Sequence, residues 1–280
     1  MLFTTAAFAA LTLLQQTDTT LSVGRDTRLS VNNFEGAITV TGWNRNEVRV
    51  QATGGDEDKV KVRLGGGVLR VSQNMRYGPE SVDLRISVPA WMPVDLEGVS
   101  TSIAVSGTQG PVSAQSVEGD VTLRGGAGNI SLSSVEGAVS AEDAKGNVEV
   151  TSVEGDVLLR NIAGEVSVSA VDGQILLESI TSSSVRANTV DGDITFAGGI
   201  ADGGRYGFTT HDGNLIVRPA GKVNATVNVS TFSGDFESTS PVTVTRTQSG
   251  GNRFTFTVGT GSAQLDLEAF DGSIRFEYGR

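Results

Sequence analysis

Apolar residues alternate with polar ones in short runs along most of the chain. Between residues 119 and 178, apolar side chains stand two and four positions after each of a series of evenly spaced glycines. Alternation with a period of two is typical of a β-strand that faces a core on one side and solvent on the other. The pattern predicts strands with these inward pairs: Val121/Leu123, Ile130/Leu132, Val139/Ala141, Val148/Val150, Val157/Leu159, Val166/Val168 and Ile175/Leu177.

The glycines between these runs are nine residues apart and include Gly110, Gly119, Gly128, Gly137, Gly146, Gly155, Gly164 and Gly173. Every second one lies in a related phrase, as in Ser116-Val-Glu-Gly and Ser152-Val-Glu-Gly, so the unit is 18 residues in two halves. A short fixed period indicates a chain that coils and stacks on itself. We therefore predict an all-β fold, a single-stranded parallel β-solenoid (β-helix) of about 18 residues per coil, with right-handed coiling. Helices are disfavoured because Val, Ile, Ser, Thr and Gly dominate.

A third position, seven residues after each glycine, is also mostly apolar. We expect its side chains to lie past a corner and help to close the coil. The residues there are Gly126, Val135, Ala144, Val153, Ile162, Val171 and Ile180.

Stacking in register predicts an ion ladder on one face. Five residues after alternate glycines the sequence reads Arg124, Glu142, Arg160 and Glu178, so the charge alternates from coil to coil. Neighbouring opposite charges of this kind stabilise a sheet surface by a few tenths of a kcal/mol per contact. The alternation supports the 18-residue coil independently of the glycines.

The repeat is regular over residues 110–182 and looser on both sides. Acidic-glycine or serine-glycine phrases recur at Gly192, Gly213, Gly234 and Gly272, in steps of 19, 21, 21 and 38 residues, and the last step is expected to hold about two coils. Residues 21–109 contain longer strand-like runs, which we expect to form an N-terminal β cap and irregular coils, with some antiparallel pairs. Those runs are residues 47–52, 59–64, 68–73 and 81–88. No linker rich in Pro and Ser interrupts the chain, so residues 21–280 are predicted to be one domain, with the looser coils over 183–280.

Net charge, the absence of Cys and the hydrophobic share exclude several classes of function. The formal charge of -11 repels phosphate backbones, so no nucleic-acid partner is expected. The absence of Cys excludes disulfides and thiolate metal sites. A hydrophobic share of 38% fits a solenoid, since its core is narrow and its surface large.

The N-terminal segment differs from the rest. Residues 1–14 are uncharged and mostly apolar, a length that suits a secretory signal and is too short to span a bilayer. Residues 1–20 are therefore predicted to be a signal peptide, although no basic residue precedes the apolar run; a buried first strand or helix is the alternative. No later stretch of 18 apolar residues exists, so we expect no integral membrane segment in the mature chain.

Acidic residues flank the corner glycines and are the candidate cation ligands. Stacked carboxylates repel one another, and Ca²⁺, which takes six to eight oxygens, could relieve that repulsion. The alternative, which we favour, is a solvated corner where Asp and Glu suit the turn, and no metal site is assigned. The candidate ladder consists of Glu118, Asp120, Glu136, Glu154, Asp156, Asp172, Asp191 and Asp193.

Catalytic chemistry has little support in the sequence. His211 is the only histidine, and its position in the repeat predicts a substitution at the rim of the core rather than a catalytic base. Wide β-helices can house carbohydrate-active enzymes, but here the coils are short and the corners are mostly Gly, Ser and acids. We therefore predict no catalytic residues, no cofactor and no enzyme activity.

A few large side chains break the pattern. Leu158 and Leu176 are outward positions that stack on one face, while Trp43, Trp91 and Tyr206 lie outside the regular repeat. Core at the chain ends and a face covered by the N-terminal segment are the favoured explanations; a contact patch for a partner or glycan is the alternative.

Three phrases together resemble the bacterial "putative adhesin" family of exported domains of unknown function. They are Asn33-Phe-Glu-Gly-Ala-Ile-Thr-Val-Thr-Gly-Trp-Asn44, Glu47-Val-Arg-Val-Gln-Ala52 and Asp83-Leu-Arg-Ile-Ser-Val-Pro89, followed by the repeated Glu-Gly-Asp-Val phrases. The likeness covers residues 21–277. It implies a single-stranded parallel β-helix on a secreted or envelope-anchored chain, and it offers no catalytic residues.

These observations predict a non-enzymatic, exported scaffold that is periplasmic, secreted or at the cell surface. It would act as an adhesin-like binding module for an envelope, protein or glycan partner that the sequence does not identify. The alternatives are a structural solenoid that self-associates through its open ends and, less favoured, a carbohydrate-active enzyme. A monomer is expected because charges near the C-terminus, at Arg275, Glu277 and Arg280, oppose end-to-end growth.

Overall fold

The computed structural model describes residues 17–54, 60–74, 81–248 and 252–278. Within these ranges the chain consists of strands and their connections, with no helix. Accordingly, no helix in this part of the chain is long and apolar enough to cross a membrane. The predicted signal segment, residues 1–20, lies outside the described residues except for its last four positions, and Arg280 also lies outside them.

The described residues contain 25 strands, which form two rows. In spatial order the first row is β4 (Val60–Gly65), β5 (Val68–Gln73), the first half of β2 (Arg28–Trp43), the first half of β7 (Val94–Thr108), β8 (Val112–Glu118), β10 (Ala127–Glu136), β12 (Lys145–Glu154), β14 (Ala163–Asp172), β16 (Ser184–Asp191), β18 (Arg205–Asp212), β24 (Ala263–Asp271), β20 (Ala225–Thr231), β23 (Asn252–Val258) and β22 (Val244–Gln248).

The second row lies on the other side of the core. It contains β1 (Thr17–Ser22), β3 (Glu47–Thr53), β6 (Val82–Pro89), the second half of β2, the second half of β7, β9 (Val121–Gly125), β11 (Val139–Glu142), β13 (Val157–Arg160), β15 (Ile175–Ile180), β17 (Ile194–Gly199), β19 (Leu215–Ala220), β25 (Ile274–Phe276) and β21 (Phe236–Ser238).

Pairing in the middle of the molecule is parallel and in register. Val139 lies beside Val121 on one side and Val157 on the other, and Val148 lies beside Ile130 and Val166, so partners in these strands are 18 positions apart in sequence. The predicted all-β, solenoid-like architecture with a mostly parallel sheet is confirmed.

The core lies between the two rows. The residues predicted two and four positions after each glycine are buried, with Val121, Val139 and Leu159 among those with almost no exposed surface. In the later coils the same inward positions hold rings, including Phe196, Tyr206 and Phe208.

The third apolar position was predicted correctly at one corner and wrongly at the other. Ala144, Ile162 and Ile180 are buried, as expected, but Val135, Val153 and Val171 are 40%, 36% and 48% exposed. At the acidic corner the preceding Ser or Ala already points inward, so the valine after it points outward. Strand alternation continues there, and the valine falls on the outer face.

Glycine is required at the corners because adjacent coils touch through their backbones. Gly164 has φ +125, and a Cβ there would collide with the carbonyl oxygen of Gly146. The same corner also uses left-handed residues of other types: Asp143, Asn161 and Ser179, at equivalent positions of three coils, have φ between 52 and 58. Asn and Asp tolerate that conformation better than most residues because their short polar side chains can bond locally.

The last coils do not stack in sequence order. β24 pairs with β18 on one side and β20 on the other, and β25 pairs with both β19 and β21. The segment 263–276 is therefore inserted between coils that are consecutive in sequence. The antiparallel pair β22–β23, which packs on β20, reverses the chain before it enters this segment. The predicted two stacked coils between Gly234 and Gly272 are wrong, because part of that step is spent on this hairpin.

Because of this insertion, the expectation that Arg275 and Glu277 lie at an open end of the solenoid is wrong. The 236–238 strand lies beyond them. Arg275 pairs with Glu237 at 2.9 Å, and Glu277 pairs with Arg218 at 2.8 Å.

Ion pairs on the second row follow the predicted alternation. Arg124 lies 2.9 Å from Glu142, and Arg160 lies 2.8 Å from Glu178. The position equivalent to Glu178 is Ala197 in the next coil, Arg218 in the second coil and Glu277 in the third. The charge alternation is therefore interrupted at Ala197 and resumes after it.

Antiparallel strands occur at the N-terminal end, where β1 pairs with β3, β3 with β6 and β4 with β5. Strands lie at all four runs predicted there, although residue 59 is outside the described part of the chain.

Candidate functional site

The acidic corner joins the first row to the second and is built the same way in successive coils. The inward residue is small, and where it carries a hydroxyl it donates to a nearby carbonyl oxygen: Ser116 Oγ to Thr101 at 2.7 Å, Ser134 Oγ to Gly119 at 2.9 Å and Thr210 Oγ1 to Gly192 at 2.9 Å. The next two residues point outward, and the glycine then turns the chain. Most of these corners thus present one apolar and one acidic side chain to solvent.

The apolar side chains of these corners form a continuous line, which we call the apolar ridge. Its valines are 36–52% exposed. At the C-terminal end the ridge becomes aromatic: the ring of Phe270 stacks on His211 and on Phe232, each at a centroid distance of 4.7 Å. The register gives the order Val99, Val117, Val135, Val153, Val171, Val190, His211, Phe270 and Phe232.

A line of acids, which we call the carboxylate row, runs beside the ridge. It stacks in register as Glu118, Glu136, Glu154, Asp172, Asp191, Asp212 and Asp271. Parallel strands are about 4.8 Å apart, at which two like charges repel by about 0.9 kcal/mol even at the dielectric constant of water. Ser100 donates to Glu118 and Ser233 donates to Asp271, at 2.8 and 2.7 Å. Among the described residues, no ion pair includes a member of the row.

The remaining candidates from the sequence form a different set with a structural role. Asp120, Asp156 and Asp193 each accept a backbone N–H from the next coil, donated by Ala138, Gln174 and Asn214 at 2.9, 2.8 and 2.7 Å. These carboxylates connect neighbouring coils at the first residue after the corner. Sequence reasoning grouped them with the carboxylate row and did not find this role, although Asp is a residue type known for bonding to nearby backbone.

The acidic residues are arranged in lines rather than in a cage. Among the described residues, no group of three or more His, Asp or Glu side chains could hold a metal ion. The favoured interpretation, a solvated corner with no metal site, stays a prediction, as does its alternative of calcium binding by Glu118, Glu136, Glu154, Asp172 and Asp191.

His211 lies on the apolar ridge and not at the rim of the core. Its ring is exposed and stacks nearly parallel to Phe270, at an interplanar angle of 17°. The expectation of a core-rim position was wrong for the same reason as for Val135: at this corner the outward face takes the apolar residue.

The other large side chains have mixed environments. Tyr206 is buried, donates its hydroxyl to Ser182 O at 2.5 Å and accepts from Ala201 N at 2.8 Å, and burial raises its pKa. Trp43 donates to Glu47 O at 2.7 Å, and Trp91 packs partly buried against the core. Leu158 and Leu176 are neighbours that are partly exposed.

The shallow clefts outside the regular coils include two with charged linings. One, of about 340 Å³, lies over β20, β23 and β24 and is lined by Asn228, Arg253, Asp266 and Glu268 among others. The other, of about 440 Å³, lies at the N-terminal hairpin, where Lys61, Arg63 and Arg70 make it basic.

The repeated corner phrase and the parallel stack can now be set beside known proteins. The model of the family described as Toastrack DUF4097 matches residues 6–277. The chain belongs to the Toastrack DUF4097 family. The predicted resemblance to the "putative adhesin" family of unknown function is confirmed by this family match. No curated protein matches the chain.

Three solved structures illustrate the likeness. A putative adhesin from Bacteroides fragilis is 13% identical, with 94% of this chain and 97% of that chain covered and a TM-score of 0.41. A putative adhesin from Parabacteroides merdae is 8% identical, with 95% and 97% covered and a TM-score of 0.39. A structure described as a putative lipid binding protein, from Parabacteroides distasonis, is 10% identical, with 93% and 96% covered and a TM-score of 0.39.

Proposed function

We propose that this Toastrack DUF4097 chain is a non-enzymatic binding module that works outside the cytoplasm, in the periplasm, at the cell surface or after secretion. The observation that carries the proposal is the corner at which each coil turns an apolar residue or, at His211, a stacked imidazole ring to solvent, accompanied in most coils by a carboxylate. Monomeric proteins rarely leave a long contiguous apolar surface exposed unless it is a site of interaction.

We also infer the finer architecture. Pairing between positions 18 apart supports coils of about 18 residues over 110–182, and we propose right-handed winding and a single domain over residues 21–280 in which the antiparallel N-terminal strands act as a cap. A cap fits the physics of a solenoid, since a terminal coil otherwise leaves its core and its strand edge open.

The polar groups of the repeat support a scaffold rather than an enzyme. Asp120 and Asp156 are bonded to the neighbouring coil, and the ion pairs Arg124–Glu142 and Arg160–Glu178 also join coils. These groups are engaged in stacking and do not converge on a cleft, whereas acid–base catalysis needs groups positioned around one reacting atom.

Self-association through the ends is the second candidate. Strands β4 and β1 lie at one end of the two rows, and β22 and β21 lie at the other, so each end offers a strand edge. Charges on those strands, such as Lys61, Arg63 and Glu237, oppose growth of a polymer. Light scattering over a hundredfold range of concentration distinguishes the two: the binding module stays at one mass, and the structural solenoid grows.

Localisation and binding are tested together on the full-length protein. We expect it in the periplasmic, surface or secreted fraction of its host and expect it to retain ligands from an envelope extract or a glycan array. Recovery in the cytoplasm, or turnover of a polysaccharide that is lost when Glu154 or Asp172 is replaced, would contradict the proposal.

A further inference from the structure

The apolar ridge and the carboxylate row form one surface with two parallel lines of different chemistry. Both lines run through consecutive coils, as Val135, Val153 and Val171 do beside Glu136, Glu154 and Asp172. We propose that this surface is the docking site for a cationic amphipathic α-helix of a partner protein. The proposal rests on the proposed function as a binding module and adds the chemical class of the partner.

The ridge supplies a long apolar contact. From Val99 to Phe232 it has nine positions, and eight steps of about 4.8 Å give a length of about 38 Å. At its aromatic end Phe270 is 45% exposed and Phe232, at 68%, is the most exposed of its apolar side chains. Aromatic side chains are the residues most enriched at sites that dominate binding energy, so this end would provide the anchor.

The carboxylate row selects the charge of the partner. Seven acids in register lie along one side of the ridge. Most residues on its other side, such as Ser133, Thr151 and Ser169, are neutral, and the two acids there, Glu97 and Glu268, are near its ends. A second copy of this chain would bring its own row against the first, and an anionic membrane would be repelled in the same way. Lys or Arg side chains flanking an apolar line would relieve the repulsion within the row.

The spacing favours a helix over an extended peptide. Apolar residues at alternating three- and four-residue intervals on a helix recur about every 5.2 Å along its axis. Alternate residues of an extended strand recur about every 6.7 Å. The ridge repeats about every 4.8 Å. The apolar residues of a straight helix of about 25 residues therefore stay closer to the ridge positions than the alternate residues of an extended peptide do.

Binding of a synthetic helix to the purified full-length protein tests this proposal. The probe is a fluorescein-labelled 28-residue peptide of four heptads with Leu at the apolar positions and Lys beside them. Its controls are the same peptide with Glu in place of Lys, and a scrambled peptide of identical composition that has no apolar face. We expect saturable binding of the Leu/Lys helix by anisotropy, at least tenfold weaker binding of the scrambled peptide, and no binding of the Leu/Glu helix.

Variants separate the two lines of the surface. The triple variant V135S/V153S/V171S should weaken binding at least tenfold, and E136Q/E154Q/D172N should weaken it and flatten its dependence on salt. The matched controls are L158S/L176S for apolar side chains away from the ridge and E149Q/E165Q for carboxylates away from the row; both should bind as the parent does. Circular dichroism establishes that each variant is folded, which is expected because these side chains are exposed or partly exposed.

Three outcomes would overturn the docking proposal. They are equal binding of the helical and scrambled peptides, equal loss in the ridge variant and in L158S/L176S, and a ridge-dependent dimer or ridge-dependent binding to phosphatidylcholine vesicles without helix binding. If the protein still retained envelope ligands in any of these cases, the docking proposal would fail while the broader function stood.

Discussion

The regular coils of residues 110–182 and the looser coils that follow solve the same packing problem in different ways. In the regular coils the inward residues are small or medium-sized, as in Val148, Val150 and Val166, and paired positions of neighbouring strands are 18 residues apart in sequence. In the looser coils the inward residues include Phe196, Tyr206 and Phe208, and the ring centroid of Phe196 lies 6.0 Å from that of Tyr206 and 5.1 Å from that of Phe208.

Core volume accounts for much of this difference. A ring needs more space between the two rows than a valine does, and protein cores are packed too densely to absorb it without a change elsewhere. The steps between corner glycines lengthen to 19 and 21 residues where the rings occur. Tyr206 also stabilises the extra loop, since its hydroxyl bonds to Ser182 and Ala201. The spacing of the corner glycines and the size of the inward side chains therefore increase together in this fold.

The largest effect is expected where one inward line passes from the regular to the looser coils. Val168, Ala187 and Phe208 are successive neighbours in register, and all three are buried. Phe208→Ala should destabilise the protein by about 3–5 kcal/mol because it leaves a ring-sized cavity. Val168→Ala removes less apolar surface and should cost about 1.5–2 kcal/mol. Urea denaturation measures both, and equal losses would contradict the account of the two cores.

Corner glycines should be nearly as sensitive in the regular coils. Gly164→Ala forces a side chain into the carbonyl of Gly146 at φ +125 and should cost about 3 kcal/mol. Gly199→Ala is the matched control, because a Cβ there meets no atom within 4 Å, and its cost should stay below about 0.5 kcal/mol. Thermal unfolding of the two variants would refute the corner account if they melted alike.

Tyr206→Phe should cost about 1–3 kcal/mol, because the Ser182 carbonyl and the Ala201 N–H lose a buried partner. The buried phenol has a raised pKa, so the folded state holds its proton more tightly than the unfolded state. Its contribution is fully present below the unfolded value of about 10 and is lost as the pH rises through the folded value. Urea melts from pH 7 to 11 should show a steeper alkaline fall in the parent than in Y206F; parallel curves would exclude this role.

The ion ladder should contribute least. Arg160→Gln should cost about 0.2–1 kcal/mol, since both partners of the 2.8 Å pair with Glu178 are well exposed. A double-mutant cycle with E178Q isolates the coupling, which salt should reduce. A coupling that salt leaves unchanged would show that the pair acts through packing.

The inward face and the ion ladder could be predicted from the sequence because each depends on one fixed spacing. Val121, Val139 and Val157 recur where a period of two within a coil and 18 between coils requires, and both periods are visible in the chain. The outward direction of Val135 was not predicted, because an apolar residue near a corner is normally expected to be in the core. Strand alternation from Leu132 could have indicated it, since Ser134 occupies the inward position and Val135 then falls on the outer face.

The order of the last coils could not be predicted from spacing. Phe232 and Phe270 occur in similar corner phrases, and nothing in their distance along the chain reveals that 270 stacks between 211 and 232. Only the pairing partners of the intervening hairpin determine that order. The role of Asp120 was also missed, because a bond to the backbone of the next coil depends on how far the corner turns.

Pairwise disulfide formation tests the stacking most directly, because the chain has no cysteine of its own. Three double-cysteine variants are compared under mild oxidation: V135C/V153C in the regular coils, H211C/F270C, and H211C/F232C. The account predicts rapid intramolecular bonds in the first two, since adjacent positions are about 4.8 Å apart, and none in the third, whose positions are two steps, about 9.6 Å, apart. A disulfide in H211C/F232C without one in H211C/F270C would contradict the account, because it would put the coils in sequence order.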